Sequence, residues 1–159
     1  MWICPRCNQK FVNRNQSHSC GQFSVAGFLK GKSRTSVRLF RAFLKAYKEI
    51  GPYEVHPVKS RVALLMQMRF ASVNKLGGDY LDGHFVLVGN LPDESVIYKI
   101  DNLNDRFFVH HFRIRDETDI NRKLRKYMRL AYDVGLRRQV GETRFKRGRT
   151  TSSRSRLRS

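Results

Sequence analysis

All three cysteines of this 159-residue chain fall within its first twenty positions, as Cys4, Cys7 and Cys20, and His18 stands two places before the last of them. A C-x2-C turn points two thiolates the same way from one tight knuckle, and a second pair on a short return loop closes a tetrahedron. The pattern predicts one structural Zn2+ bound by Cys4, Cys7, His18 and Cys20, since four protein ligands leave no open position for water or substrate. A segment of this length cannot bury a core of its own, so the ion's affinity becomes the segment's folding energy. Trp2, Phe11 and Phe23 are the apolar groups available to cover it. A Cys4–Cys7 disulfide is the competing reading, and Pro5 inside the knuckle and the fourth ligand argue against it.

The chain carries 32 Lys and Arg against 13 Asp and Glu, a net charge of +19. Such a field attracts polyanions, and nucleic acid, DNA or RNA, is the expected partner because each phosphate neutralised releases condensed counterions. An anionic membrane surface is the competing sink, yet neither an amphipathic basic helix with a Trp/Leu face nor a lipidation motif accompanies the charge. No run approaches the eighteen or more apolar residues of a membrane span, and the opening MWICPRC does not read as a signal peptide. The expectation is a soluble cytoplasmic protein with no membrane partner.

Three parts are expected: a zinc-binding knuckle over residues 1–21, a domain over 22–138, and a disordered basic tail over 139–159. The tail has almost no apolar residues and no periodicity, so burial cannot offset the entropy of ordering it. Its cations Arg144, Lys146, Arg147 and Arg149 read as a phosphate-seeking arm. In the middle, Val37, Phe40, Phe43, Leu44 and Tyr47 recur at helical steps over residues 36–50, with Ser33 or Ser36 as N-cap and Gly51-Pro52 as the stop. Arg38, Arg41, Lys45 and Lys48 fall on its other side and read as a solvated face. A shorter helical turn is expected over Ser24–Leu29.

Period-two patterning then takes over at Tyr53–His56, Arg61–Val73 and Tyr80–Val88, with Gly77-Gly78-Asp79 as a turn. The second run is long for one strand, and the pattern leaves open whether it bends, bulges or divides near Gln67. A hairpin, Val96–Ile100 and Arg106–Arg115, follows. A last helix is expected from Asp116 to Val134, opened by acidic residues and closed by Gly135. The order describes an α+β fold: a small antiparallel sheet flanked by two helices.

If strand pairing is regular, Val62, Leu64, Met66, Met68 and Phe70 lie on one face, with Lys59, Arg61, Gln67 and Arg69 on the other. Phe108, His110 and Phe112 similarly separate from His111, Arg113 and Arg115. Lys59, Arg61, Arg69, His84, His111 and Arg113 then line one electropositive patch suited to phosphate. A one-residue slip would exchange the faces and leave scattered exposed cations. Enzymatic motifs are lacking: no P-loop, no GxSxG, no HExxH and no cysteine left over as nucleophile. His84, His110 and His111 with Asp79, Asp82, Asp101 or Asp105 could be assembled into an acid–base site, the weaker alternative of a nuclease-associated enzyme. The stronger alternative is a domain that binds a small anion or a protein partner, with the zinc segment as a structural lid.

The stretches MWICPRCNQKFVNRNQSHSCG, VHPVKSRVALLMQMRFASV and FFVHHFRI resemble a bacterial and archaeal domain-of-unknown-function family, which also occurs attached to larger proteins described as transport or nuclease-like. The resemblance spans about residues 1–136 and is most specific at CPRC, HSCG, VKSR and VHHF. It implies a zinc-bearing N-terminus followed by a compact α+β domain, and it implies no catalytic mechanism.

Overall fold

The computed structural model describes residues 1–138 apart from positions 19 and 22. The expected basic tail, with Arg144, Lys146, Arg147 and Arg149, lies outside the described residues. The N-terminal segment is a small hairpin, β1 (Trp2–Ile3) and β2 (Lys10–Phe11), paired antiparallel with Trp2 opposite Phe11. A short helix α1 (Val25–Leu29) follows, its first turn capped by Ser24, whose hydroxyl accepts from the Gly27 N–H.

Helix α2 spans Arg34–Ile50 and is capped by Ser33, which accepts from the Ser36 N–H and also donates to the Gly78 carbonyl at 2.6 Å. One serine therefore ends the helix and ties it to a strand turn. The buried face is Ser36, Leu39, Phe40, Phe43, Ala46 and Tyr47. Val37 and Leu44, expected inside, are only half-buried, because they lie about 100–120° round the helix from Phe43, the centre of the buried face.

Strands β3 (Glu54–Pro57), β4 (Val62–Leu65), β5 (Arg69–Leu76), β6 (Leu81–Val88), β7 (Ile97–Asn102) and β8 (Phe107–Ile114) form one antiparallel sheet in the order β3-β4-β5-β6-β8-β7. The long run over residues 61–73 divides: Met66–Met68 turn the chain, and β4 and β5 pair as a hairpin. Met66, Gln67 and Met68 therefore leave the strand faces assigned to them. A bulge opposite Leu64/Leu65 inserts an extra residue at Phe70. Phe70 and Ala71 are both buried in the core as a result, which strict alternation forbids.

The last helix starts later than expected. Asp116–Asp119 form a capping box around a 3-10 turn (Glu117–Asp119), and α3 (Arg122–Gly135) begins afresh after the cap Asn121. The acidic residues thus belong to the 3-10 turn, and the first turn of α3 holds none. Gly135 is the last residue of the helix rather than its stop, and the left-handed residue lies at Arg137 (φ 58°).

Helices α2 and α3 cover one face of the sheet. Phe43, Phe85 and Phe112 stack through this layer, with ring centroids 5.3 Å (Phe43–Phe112) and 4.3 Å (Phe85–Phe112) apart. Each such ring removed from water contributes about 1.5–3 kcal/mol. Tyr47 donates to the Met128 carbonyl at 3.1 Å and Tyr132 to the Pro52 carbonyl at 2.6 Å, so the two helix-borne hydroxyls tie α2 to α3 and α3 to the loop that follows α2, each with its own partner. No described helix is long and apolar enough to cross a membrane.

Candidate metal centre

In the knuckle, Cys4 N–H donates to Gln9 and its carbonyl accepts from Asn8, which takes the left-handed conformation (φ 56°) that closes so tight a turn. That turn brings Cys7 beside Cys4. The return loop delivers the other pair: Cys4 Sγ and Cys20 Sγ are 3.6 Å apart, and Cys7 Sγ and His18 Nε2 are 3.4 Å apart. All four ligand atoms lie within 4.8 Å of one another. An ion bonded at about 2.0–2.3 Å in tetrahedral geometry sets ligand–ligand edges of roughly 3.5–3.8 Å; the Cys4–Cys20 pair stands at that spacing and the Cys7–His18 pair just inside it. These four residues could hold a metal ion.

The surroundings fit the same role. His18 Nδ1–H donates to the Gln16 carbonyl at 2.7 Å, which leaves Nε2 as the free lone pair facing the thiols. Phe11 stacks on the His18 ring at 4.2 Å and Trp2 stands edge-on at 6.1 Å, while Phe23 is half-buried nearby in sequence. Burial pushes the Cys4 thiol up, but the N–H groups of Arg6 and Cys7 and the thiols of Cys20 and Cys7 outweigh it and bring it to about 6. Burial and the neighbouring Cys4 and Cys7 raise Cys20 to about 11. Three crowded sulfurs cannot all ionise alone, and a cation bound among them would relieve the repulsion.

The segment docks against the edge of the large sheet. Lys10 Nζ reaches Glu54 at 3.0 Å, and Phe11 meets the His56 ring edge-on at 5.8 Å. His56 in turn accepts a 2.8 Å hydrogen bond from Arg69. Arg69 is therefore half-buried and held, rather than an exposed cation.

The other expected patch residues lie mainly on the sheet face away from the helices. His84 and His111 are cross-strand partners 5.8 Å apart, and Arg61 lies close enough for its charge to act on His84. Much of the charge is already matched. Arg113 makes a bidentate pair with Asp82 (2.6 and 2.9 Å) and sits over the Tyr80 ring at 4.1 Å, while His111 donates to Asp101 at 2.8 Å. Lys59 is exposed in the β3–β4 turn. Burial, Arg61 and His111 together push His84 down to about 4. His110 is a satisfied core histidine: it accepts from the Leu91 N–H and donates to the Phe108 carbonyl. Of the acid–base combinations available to the sequence, only His111 with Asp101 is assembled among the described residues; Asp79 pairs with Arg115 and Asp105 with Asn102.

Among the described residues a longer row of cations lies on α2. Arg34, Arg38, Arg41, Lys45 and Lys48 are all exposed on α2, at steps of four, three, four and three residues. At about 100° and 1.5 Å per residue they form one stripe within an arc of about 80°, roughly 21 Å long, opposite the buried face. Among the described residues only Arg38 of the five has an acidic partner, Glu117 at 3.5 Å. The 4-3-4-3 spacing was present in the sequence. A solvated face gives the same spacing.

No protein-family model, curated protein or solved structure matches the chain.

Proposed function

We propose that this is a small nucleic-acid-binding protein that holds one structural zinc and recognises mainly the phosphate backbone. Three thiols and one imidazole gathered within 4.8 Å are a donor set suited to zinc, and four protein ligands within one short segment leave the ion no catalytic position. Its role is to order residues 1–21 against the β3 edge.

The observation that carries the nucleic-acid reading is the α2 stripe. Helix stability favours acids in the first turn and opposite charges at i,i+4; α2 has no acid in its first turn and places like charges at every step of the stripe. Four like-charge neighbours cost on the order of 1–2 kcal/mol in total. A helix that needed only solubility gains nothing from this arrangement, whereas a polyanion laid along it recovers the cost and releases counterions. Helix α3 repeats the pattern with exposed Arg122, Lys126 and Arg129 and a first turn without acids. The outer surface of the helical layer is thus the stronger phosphate-facing surface, with Arg61 and Lys59 as separate candidates beyond it and Arg144, Lys146, Arg147 and Arg149 adding charge from the C-terminal segment.

The test is fluorescence anisotropy with labelled 20-mers of single- and double-stranded DNA and RNA between 50 and 300 mM salt. Affinity should fall steeply with salt, and changing Arg41, Lys45 and Lys48 together to Gln should weaken binding and flatten the log–log slope by up to about 2–3. Absence of binding to all four probes at 50 mM salt would overturn the reading.

A further inference from the structure

A cleft of about 700 Å³ opens where α2 ends, between the helix and the start of β3. One wall carries Arg41, Lys45 and Lys48, the last three cations of the stripe; the floor is Leu44, Tyr53 and Val55. The floor is built rather than incidental. Tyr53 donates its hydroxyl to the Leu44 carbonyl at 2.8 Å, and its ring meets that of the fully buried Tyr47 at 6.1 Å, so the aromatic group is held at both ends.

Resting on the nucleic-acid reading above, we propose that this cleft seats one unstacked base of a single-stranded nucleic acid, with the adjoining phosphates on Arg41, Lys45 and Lys48. Charge complementarity selects the occupant. Among the described residues none of these three cations has a carboxylate partner, so the wall asks for anions. The apolar floor beside it asks for a flat, poorly hydrated group within one phosphate spacing. A nucleotide with its base exposed supplies both; a duplex hides its base faces, and an acidic peptide supplies charge without the flat group. A held aromatic ring also lowers the entropy cost of stacking, which makes the seat tolerant of base identity.

The experiment uses the wild-type full-length protein and two 12-mers of equal charge: a bromouridine-bearing single strand and an abasic strand. The cleft predicts about tenfold tighter binding of the strand with bases, and photocrosslinking of bromouridine to the peptide containing Tyr53. Equal affinity for both strands with a steep salt dependence, and crosslinks only to other segments, would overturn the cleft while leaving backbone recognition standing. Failure of both strands to bind at 50 mM salt would overturn both. Displacement of the bromouridine strand by polyglutamate as readily as by unlabelled strand would also overturn it, since the surface would then serve acidic chains in general. Arg41→Gln and Lys48→Gln should weaken both 12-mers, whereas Leu44→Gln should weaken only the one with bases.

Discussion

The bare α-carbon of Gly135 lies against the ring of Phe70: a Cβ built there would fall 2.4 Å from Phe70 Cδ1. The same residue's carbonyl accepts from the Gln67 and Met68 N–H groups at 2.9 and 3.3 Å. One glycine at the end of α3 thus both receives the bulged Phe70 and pins the turn that divides β4 from β5. Gly135→Ala forces the ring or the helix end to move, and overpacking of this kind costs about 1–3 kcal/mol. Urea denaturation should show a lower midpoint with an unchanged m-value, and Phe70→Leu should recover part of the loss in the double variant.

The metal segment and the main core touch at few places, chiefly Lys10 with Glu54 and Phe11 with His56. Purified protein should contain one zinc per chain by elemental analysis. Cys7→Ser should abolish the zinc and broaden the signals of residues 1–21 while the aromatic core around Phe43 and Phe112 keeps its near-ultraviolet circular dichroism. A preparation free of zinc under reducing conditions, with a folded N-terminal segment, would rule out the structural ion.

His84 gives the domain a pH dependence. Burial, Arg61 and His111 hold it at about 4 in the folded chain, against an ordinary value of 6.5. Below about pH 6.5 the unfolded chain takes up a proton that the folded chain refuses, so stability is full above that value and is lost as pH falls toward 4. The loss amounts to about 3 kcal/mol from this group. Buried His56 and His110 are shifted in the same direction. Melting temperature should therefore fall between pH 6.5 and 4. His84 accepts a 2.9 Å hydrogen bond from the Asn74 amide, and the fall should be shallower in His84→Gln, whose amide oxygen can accept the same bond without titrating.

Deleting residues 139–159 takes the net charge from +19 to +13. The described core lies within residues 1–138, so the melting temperature should stay within a few degrees. Affinity for nucleic acid should drop, and the salt slope should flatten by about 0.9 for each duplex phosphate that the C-terminal segment no longer neutralises. An unchanged slope would assign that segment no role in binding.

The four candidate metal ligands, the α+β order, the two long helices and the hairpin across Gly77-Gly78 were legible in the chain because each rests on local chemistry: ligand spacing, hydrophobic period, caps such as Ser33 and turn residues. What the chain could not announce depends on partners distant in sequence. The split at Met66–Met68 and the inward Phe70 require Gly135, 65 residues away, to leave room and to accept the turn's N–H groups. The same holds for charge. Composition sets the surplus of cations, but whether a given cation is free depends on which acceptor the fold brings beside it. Asp82 takes Arg113, His56 takes Arg69 and Asp101 takes His111, while Arg41, Lys45 and Lys48 are left facing a cleft. Coulomb attraction acts over a few ångströms of space, and only the tertiary structure decides which charges come that close.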